Sequence, residues 1–505
     1  MKRSGPAFFI LAAVLFCLPV FLSASCREKA PSAAAETRAP PDYEGLRNVT
    51  YECDYSRGRI VGKAFQPLRA GVPSSYIRAT PHLGYKFTGW SDGMKTPVRY
   101  GDIIYEDTVI TALFDYDLLG LPVLAVDTEN GRTIDSRDRY VKAAVSVWGA
   151  ADGYNAAGLS AQIRGRGNAT WEMDKKSYRL QFDEKINLLG TDTGAAKTWV
   201  LQANHCDQSM LRNRTAFMLG IMLDGIECSS SSAYVDLYLN GRYNGVYLLC
   251  EQVEVQENRV NIKETAEADS GYLIELDRYY EGTENKDHFW VYGLPYSVIS
   301  DTKLPAQVET MKKAVGAVED AIMSGDRSLF ESLADTASCV DMYLLQEFMK
   351  NIDAGWSSFF MYIREGGGKL FFGPPWDFDI AAGNDHRLDN GGWEGIYVGD
   401  GSYGFTQSNR WFIELMKTEW FAGEVRQRWP AARKIIKEAI AEAAAAGKKN
   451  KAAADRNYDR WIIFGQRINM EPEHIMALGS YTEHLDYFIA WCTNRLEWLD
   501  GYFTE

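Results

Sequence analysis

The sequence predicts an α+β protein in two parts, a β-rich first half and a helical second half carrying acidic loops, with a small all-β domain in front. Three observations carry this. Ala233 to Leu249 reads as a hairpin, two alternating runs around an Asn240-Gly241 turn. Ser177 to Phe182 alternates, with Tyr178, Leu180 and Phe182 on one face and Arg179 and Gln181 on the other. Beyond about residue 302 the apolar spacing becomes helical, over 308–323, 329–333, 340–350 and from 411 onward. A chain of 505 residues exceeds one compact core, and the cleft between the two parts is where a ligand would sit.

The N-terminus reads as an export signal over residues 1–25: Lys2 and Arg3, an apolar stretch from Ala7 to Leu22, then Ser23-Ala24-Ser25. Cys26 then fits the lipid-bearing cysteine of a bacterial membrane lipoprotein, although Leu22 lies one place further upstream than that signal has it. Plain secretion is the alternative. Residues 26–45, rich in Ala, Pro and Glu, form a tether. Removing the signal takes two cations and no acid, so the net charge of −14 becomes more negative. That argues against a nucleic-acid partner and for basic ones. Six scattered cysteines remain without a Cys-x-x-Cys pair, which excludes zinc ribbons and thioredoxin-like redox sites.

From 46 to 117 the chain shows short strands and turns: Arg59-Ile-Val-Gly, Gly84-Tyr-Lys-Phe-Thr-Gly-Trp-Ser-Asp-Gly and Thr108-Val-Ile-Thr-Ala-Leu-Phe. The stretch resembles the small β-repeat module of bacterial surface proteins, which implies spacing or adhesion. Further strands are expected at 121–126, 140–148, 160–166, 198–202 and 272–276, and a helix at 208–223 with Asp207 as its N-cap.

The chemistry concentrates in Gln346 to Asn384. Asp353 follows an amphipathic helical run, and Asp377 and Asp379 flank Phe378. If Trp376-Asp-Phe-Asp is extended, both carboxylates share one face roughly 6.5–7 Å apart. Such a pair repels unless a cation lies between, so a divalent metal is the first expectation and a solvated loop the alternative. Gly190-Thr-Asp-Thr-Gly-Ala-Ala-Lys misplaces its lysine for a phosphate loop, and no His-Glu-x-x-His or Gly-x-Ser-x-Gly occurs. A carboxylate-pair glycosidase has only aromatic richness behind it.

Four stretches occur in fixed order: Ile163-Arg-Gly-Arg-Gly-Asn-Ala-Thr-Trp with Lys175-Lys-Ser-Tyr-Arg-Leu-Gln-Phe; Trp199-Val-Leu-Gln-Ala-Asn with Asp207-x-Ser-x-Leu-Arg-Asn; Asp236-Leu-Tyr-Leu-Asn-Gly onward to Glu251-Gln-Val; and Gly373-Pro-Pro-Trp-Asp-Phe-Asp. Together they resemble the CotH family of spore-coat kinases, atypical relatives of protein kinases, over about residues 118–505. The resemblance implies a two-lobe kinase-like fold, with an N-lobe over about 118–255 and a C-lobe over about 256–505. It implies transfer of the ATP γ-phosphate to Ser or Thr of extracytoplasmic proteins, with Mg2+ as cofactor and a basic, Ser-rich protein as substrate. Asp353 takes the catalytic aspartate's place, Asp377 that of the metal-binding aspartate, and Asp379 and Asn384 are further metal candidates. Glu251 leads into the adenine-side hinge. Lys176 or Arg179, beside Arg164, is the phosphate-contacting cation, and Gly165 and Gly167 let backbone approach phosphate.

Two departures stand out. The helix at 208–223 has no glutamate to pair with a strand lysine, and Ser358 stands where an ordinary kinase carries a metal-binding asparagine. They keep open a second reading, a surface binding or adhesion lipoprotein that retains the fold with weak or no activity.

Overall fold

The computed structural model describes residues 45–150, 154–188, 194–280, 287–403 and 408–504. The export signal, Cys26 and the tether up to residue 44 lie outside these residues, as does the first half of the phosphate-loop lookalike, 190–193. Among the described residues no helix is long and apolar enough to cross a membrane.

Residues 46–116 are all strand and turn. Strands β1 (Leu46–Cys53), β3 (Phe65–Arg69), β5 (Tyr85–Trp90) and β7 (Thr108–Tyr116) form one sheet, and β2 (Gly58–Gly62), β4 (Ile77–Pro81) and β6 (Val98–Arg99) a second. Alternate residues of β1 and β7, among them Val49, Tyr51, Ile110 and Ala112, close a small core with Trp90. The unit is fastened to the next one by aromatic rings: Tyr85 and Tyr116 pack on Tyr238, Tyr85 Oη donates to Gly241 O and Tyr238 Oη donates to Gly84 O.

A closed barrel follows, in the order β10-β11-β12-β14-β13-β8-β9. Its strands are β8 (Val123–Thr128), β9 (Val141–Trp148), β10 (Ala156–Arg166), β11 (Ser177–Ile186), β12 (Ala196–Gln202), β13 (Ser232–Leu239) and β14 (Arg242–Glu251). The Asn240-Gly241 turn has positive φ at both positions (49° and 73°), the geometry that lets a two-residue loop match strand twist. Ile163, Leu180, Trp199, Leu201, Leu237 and Leu249 fill the barrel.

Between β12 and β13 runs α1 (Arg212–Met222). It starts later than its apolar spacing predicts, because Met210 takes φ +59° and breaks the helical path. Asp207 still satisfies the opening turns, accepting from Ser209 N (3.1 Å) and Arg212 N (2.9 Å).

The second half is not purely helical. Strands β15 (Tyr272–Leu276), β16 (His288–Val291), β17 (Leu294–Val298), β18 (Phe359–Ile363) and β19 (Leu370–Phe372) form a sheet in the order β16-β17-β15-β18-β19. Two of them lie inside the stretch expected to be loop. Around the sheet pack α2 (Pro305–Ser324), α3 (Arg327–Leu333), α4 (Thr336–Met349), α5 (Arg410–Met416), α6 (Glu419–Lys449), α7 (Lys451–Arg460), α8 (Glu473–Met476) and α9 (Tyr481–Thr504). Helix α4 is not amphipathic as expected: every residue from Ser338 to Met349 is buried. A helix apolar and enclosed all round is a central one, and it delivers the chain to Asp353 from the middle of the core.

Candidate functional site

One cavity of about 860 Å³ lies between the barrel and the acidic loops, within the range of small-molecule sites. The barrel contributes Arg164 and Arg166 from the end of β10, Gly167 to Thr170 beyond it, Arg179 of β11 and the chain leaving β14 at Gln252 and Val253. The opposite wall carries Asp353, Ser357, Ser358, Asp377 and Asp379.

Each carboxylate is placed by its neighbours. After α4 the chain reverses at Lys350 (φ +48°), Asn351 Nδ2 donates back to Gln346 Oε1 (2.9 Å), and Asp353 N donates to Asn351 Oδ1 (3.2 Å). Trp376-Asp-Phe-Asp is not a strand. Asp377 sits at φ +65°, a left-handed conformation that costs a non-glycine residue about 1–3 kcal/mol and persists where surrounding contacts enforce it. Those contacts come from α1: Asn213 Oδ1 accepts from Phe378 N (2.7 Å), while Arg212 donates to Ala381 O (2.9 Å) and Ala382 O (3.1 Å). The kink replaces the expected period-two geometry, yet both acids still reach the cavity.

Burial pushes the Asp353 carboxyl up to about 7, and the nearby Asp377 charge adds to it. Asp379 also rises to about 7, by burial first and then Asp377, against the Cys206 thiol that donates to its Oδ2 (3.0 Å). Asp377 is raised by burial as well, with Arg166 and the Ser358 hydroxyl (3.5 Å) pulling the other way. Crowded, raised carboxylates mark a site that gains from a cation.

No group of three or more His, Cys, Asp or Glu arranged to hold a metal occurs among the described residues. Magnesium does not need one, since it takes one or two carboxylates and fills its octahedron with phosphate oxygens and water. Asp377 and Asp379 suit that demand. Asn384 stands behind Asp379, its Nδ2 donating to Asp379 O and Cys206 O (both 2.8 Å), and its Oδ1 is buried without a partner. A buried acceptor oxygen without a partner, on a side chain hydrogen-bonded to the Asp379 backbone, fits the edge of a cation site.

The cavity therefore joins Arg164, Gly167, Arg179, Asp353, Asp377 and Asp379 as expected. The other four expected residues, Lys176, Glu251, Asn384 and Gly165, are not among its lining residues. Lys176 Nζ is tied to Trp171 O (2.5 Å) and Met173 O (2.9 Å), so it closes a turn and does not line the cavity. Glu251 accepts from Ser231 N (2.9 Å) and lies 3.5 Å from the buried Arg259, so the residues after it, not Glu251, face the cavity. Asn384 is outside the lining. A Cβ on Gly165 would lie 2.0 Å from the Trp171 ring, so the absent side chain admits an indole, not a phosphate. Gly165→Ala is accordingly expected to lower stability by about 1–3 kcal/mol in denaturant unfolding, with Trp171→Ala beside it removing most of that difference.

Sequence reasoning missed Arg166, Asn213 and Arg387. The first two stood inside quoted motifs, but only the fold places Arg166 in the cavity and Asn213 on the backbone beside Asp377. The strand lysine that lacks a glutamate, Lys175, is buried and donates instead to Ala203 O and Val246 O.

A barrel and a helical body thus bring guanidiniums and carboxylates into one cavity. The sequence pattern described as CotH kinase protein matches residues 163–499, well over half of the chain, and the chain belongs to that family. No curated protein matches it.

Proposed function

We propose that this protein is an exported protein kinase that transfers the ATP γ-phosphate to Ser or Thr hydroxyls of extracytoplasmic proteins. The observation that carries this is the opposition of Arg166 and Arg179 to Asp353, Asp377 and Asp379 across one cavity. On this reading the barrel is the nucleotide-side lobe, and the helices with the five-stranded sheet form the other. Gln252 and Val253 offer the chain after β14 to the base.

Magnesium, held by Asp377 and Asp379, supplies charge neutralisation for the phosphates when bound. Asp353 orients the acceptor hydroxyl: its oxygen bonds to the γ-phosphorus, the bond to the β–γ bridging oxygen breaks, ADP leaves, and the hydroxyl proton passes to the Asp353 carboxylate. A carboxyl raised to about 7 is matched to that task near neutral pH. The acidic net charge of −14 favours a basic acceptor, and the sequence of residues 1–26 favours anchoring of the exported chain through a lipid on Cys26.

A second reading, nucleotide binding without transfer, is favoured by Ser358 beside Asp377, since a hydroxyl is a poorer magnesium ligand than an amide oxygen. Labelled ATP and magnesium with the purified protein and a basic test protein separate the two. Incorporation that is lost in Asp353→Asn supports the kinase. Binding without incorporation leaves the second reading, and neither binding nor incorporation overturns both.

A further inference from the structure

Three guanidiniums crowd one wall of the cavity. Arg164 and Arg166 are two residues apart on β10 and share a face, and Arg179 pairs directly with Arg164 across the β10–β11 register. Like charges directly opposite on paired strands repel, so such a trio is stable only if something offsets it. Arg164 is tethered, donating to Arg137 O and Gly165 O and lying over the Tyr140 ring. The other two are positioned but not neutralised. The Arg166 side chain makes no hydrogen bond or ion pair among the described residues; its guanidinium lies 5.3 Å over the ring of Trp376, and its charge acts on the next residue, Asp377. Arg179 has a buried Nε without a partner, and Glu254, the acid whose charge acts on it, is already paired with Arg259.

From this placement we infer that Arg166 and Arg179 form a polyphosphate clamp, with Arg166 contacting the phosphoryl group nearest Asp377. Neither strand lysine competes for the role, since both ammoniums are consumed by backbone carbonyls. A planar fork stacked on an indole is held in one orientation, which suits bidentate contact to two phosphate oxygens. The inference rests on the nucleotide reading for its place in the reaction, but the clamp itself requires only a chain of phosphates.

Calorimetric titration of the full chain with inorganic tripolyphosphate, with ATP and magnesium, and with adenosine tests it. The wild type is expected to bind tripolyphosphate. Arg166→Ala should weaken tripolyphosphate and ATP about ten- to a hundredfold while leaving adenosine unchanged. Arg166→Lys should recover part of the loss, because it restores the charge without the fork, and it serves if the alanine variant does not fold. Tripolyphosphate binding without nucleotide binding would keep the clamp and sink the kinase reading. ATP binding that Arg166→Ala and Arg166→Lys leave at wild-type strength would sink the clamp and keep the kinase. No tripolyphosphate binding by the wild type, or a loss that includes adenosine equally, also overturns the clamp.

Discussion

Asp377→Asn is expected to reduce phosphoryl transfer by about three orders of magnitude, read as initial rate of label incorporation at saturating ATP. Asparagine is the informative replacement, because it keeps the shape and tolerates the left-handed φ of +65° that alanine would strain. It also removes the charge that, after burial, does most to raise Asp353 and Asp379, so both carboxyls should fall part of the way while burial keeps them above ordinary values. The same coupling gives the wild type a pH signature. Carboxyls raised to about 7 bind more protons folded than unfolded between about pH 4 and about 7, so metal-free stability falls as pH rises through that window. Magnesium needs its ligand Asp379 ionised, so its affinity should climb through the same window and level off above it. Transfer by Asp377→Asn at near wild-type rate would remove Asp377 from the metal site, and magnesium binding that is flat from pH 5.5 to 8 would remove Asp379.

The parts of this site that were legible in the sequence were those fixed by order along the chain. Asn240-Gly241 announced its hairpin because only a few residues tolerate two successive positive φ angles. Asp377 and Asp379 were findable because they sit inside a motif, and Asp353 because it follows a helical run, whatever the local backbone does. What stayed hidden depended on enclosure. Phe359 to Ile363 became strand β18 between β15 and β19, buried on both faces, and such a strand shows no alternation to find. Helix α4 looked amphipathic because polar Gln346 and Glu347 suggest a wet face, yet both are buried and satisfied inside the protein. Lys176, offered with Arg179 as the phosphate-contacting cation, lies away from the cavity for a related reason. A sequence gives the position of a cation but not the partners of its long side chain, and Lys176 spends its ammonium on its own turn.

Glu347 supplies the largest expected loss of stability, and it ties that loss to the site. Its side chain and that of Arg495 are fully buried and paired at 2.6 Å, joining α4 to α9. The remaining lone pairs are taken by Tyr397 N, Val398 N and Gly399 N, and Arg495 also donates to Trp393 O and Gly395 O (both 2.7 Å). One ion pair thus holds two helices and the 393–399 loop. That loop returns to the site, since Tyr397 Oη donates to Ile352 O (3.0 Å), next to Asp353. Removing one partner strands a buried charge, so Glu347→Ala and Arg495→Ala should each cost about 3–5 kcal/mol in denaturant unfolding, a large share of a typical domain's stability. Replacing both by apolar residues, as in Glu347→Leu with Arg495→Met, should cost less than either single change, because no charge is left without its mate. Asp353 would then sit on a loosened loop, so transfer should fall further than folded fraction in the single variants. Additive losses in the double variant would show that packing, not the charge pair, carries the effect.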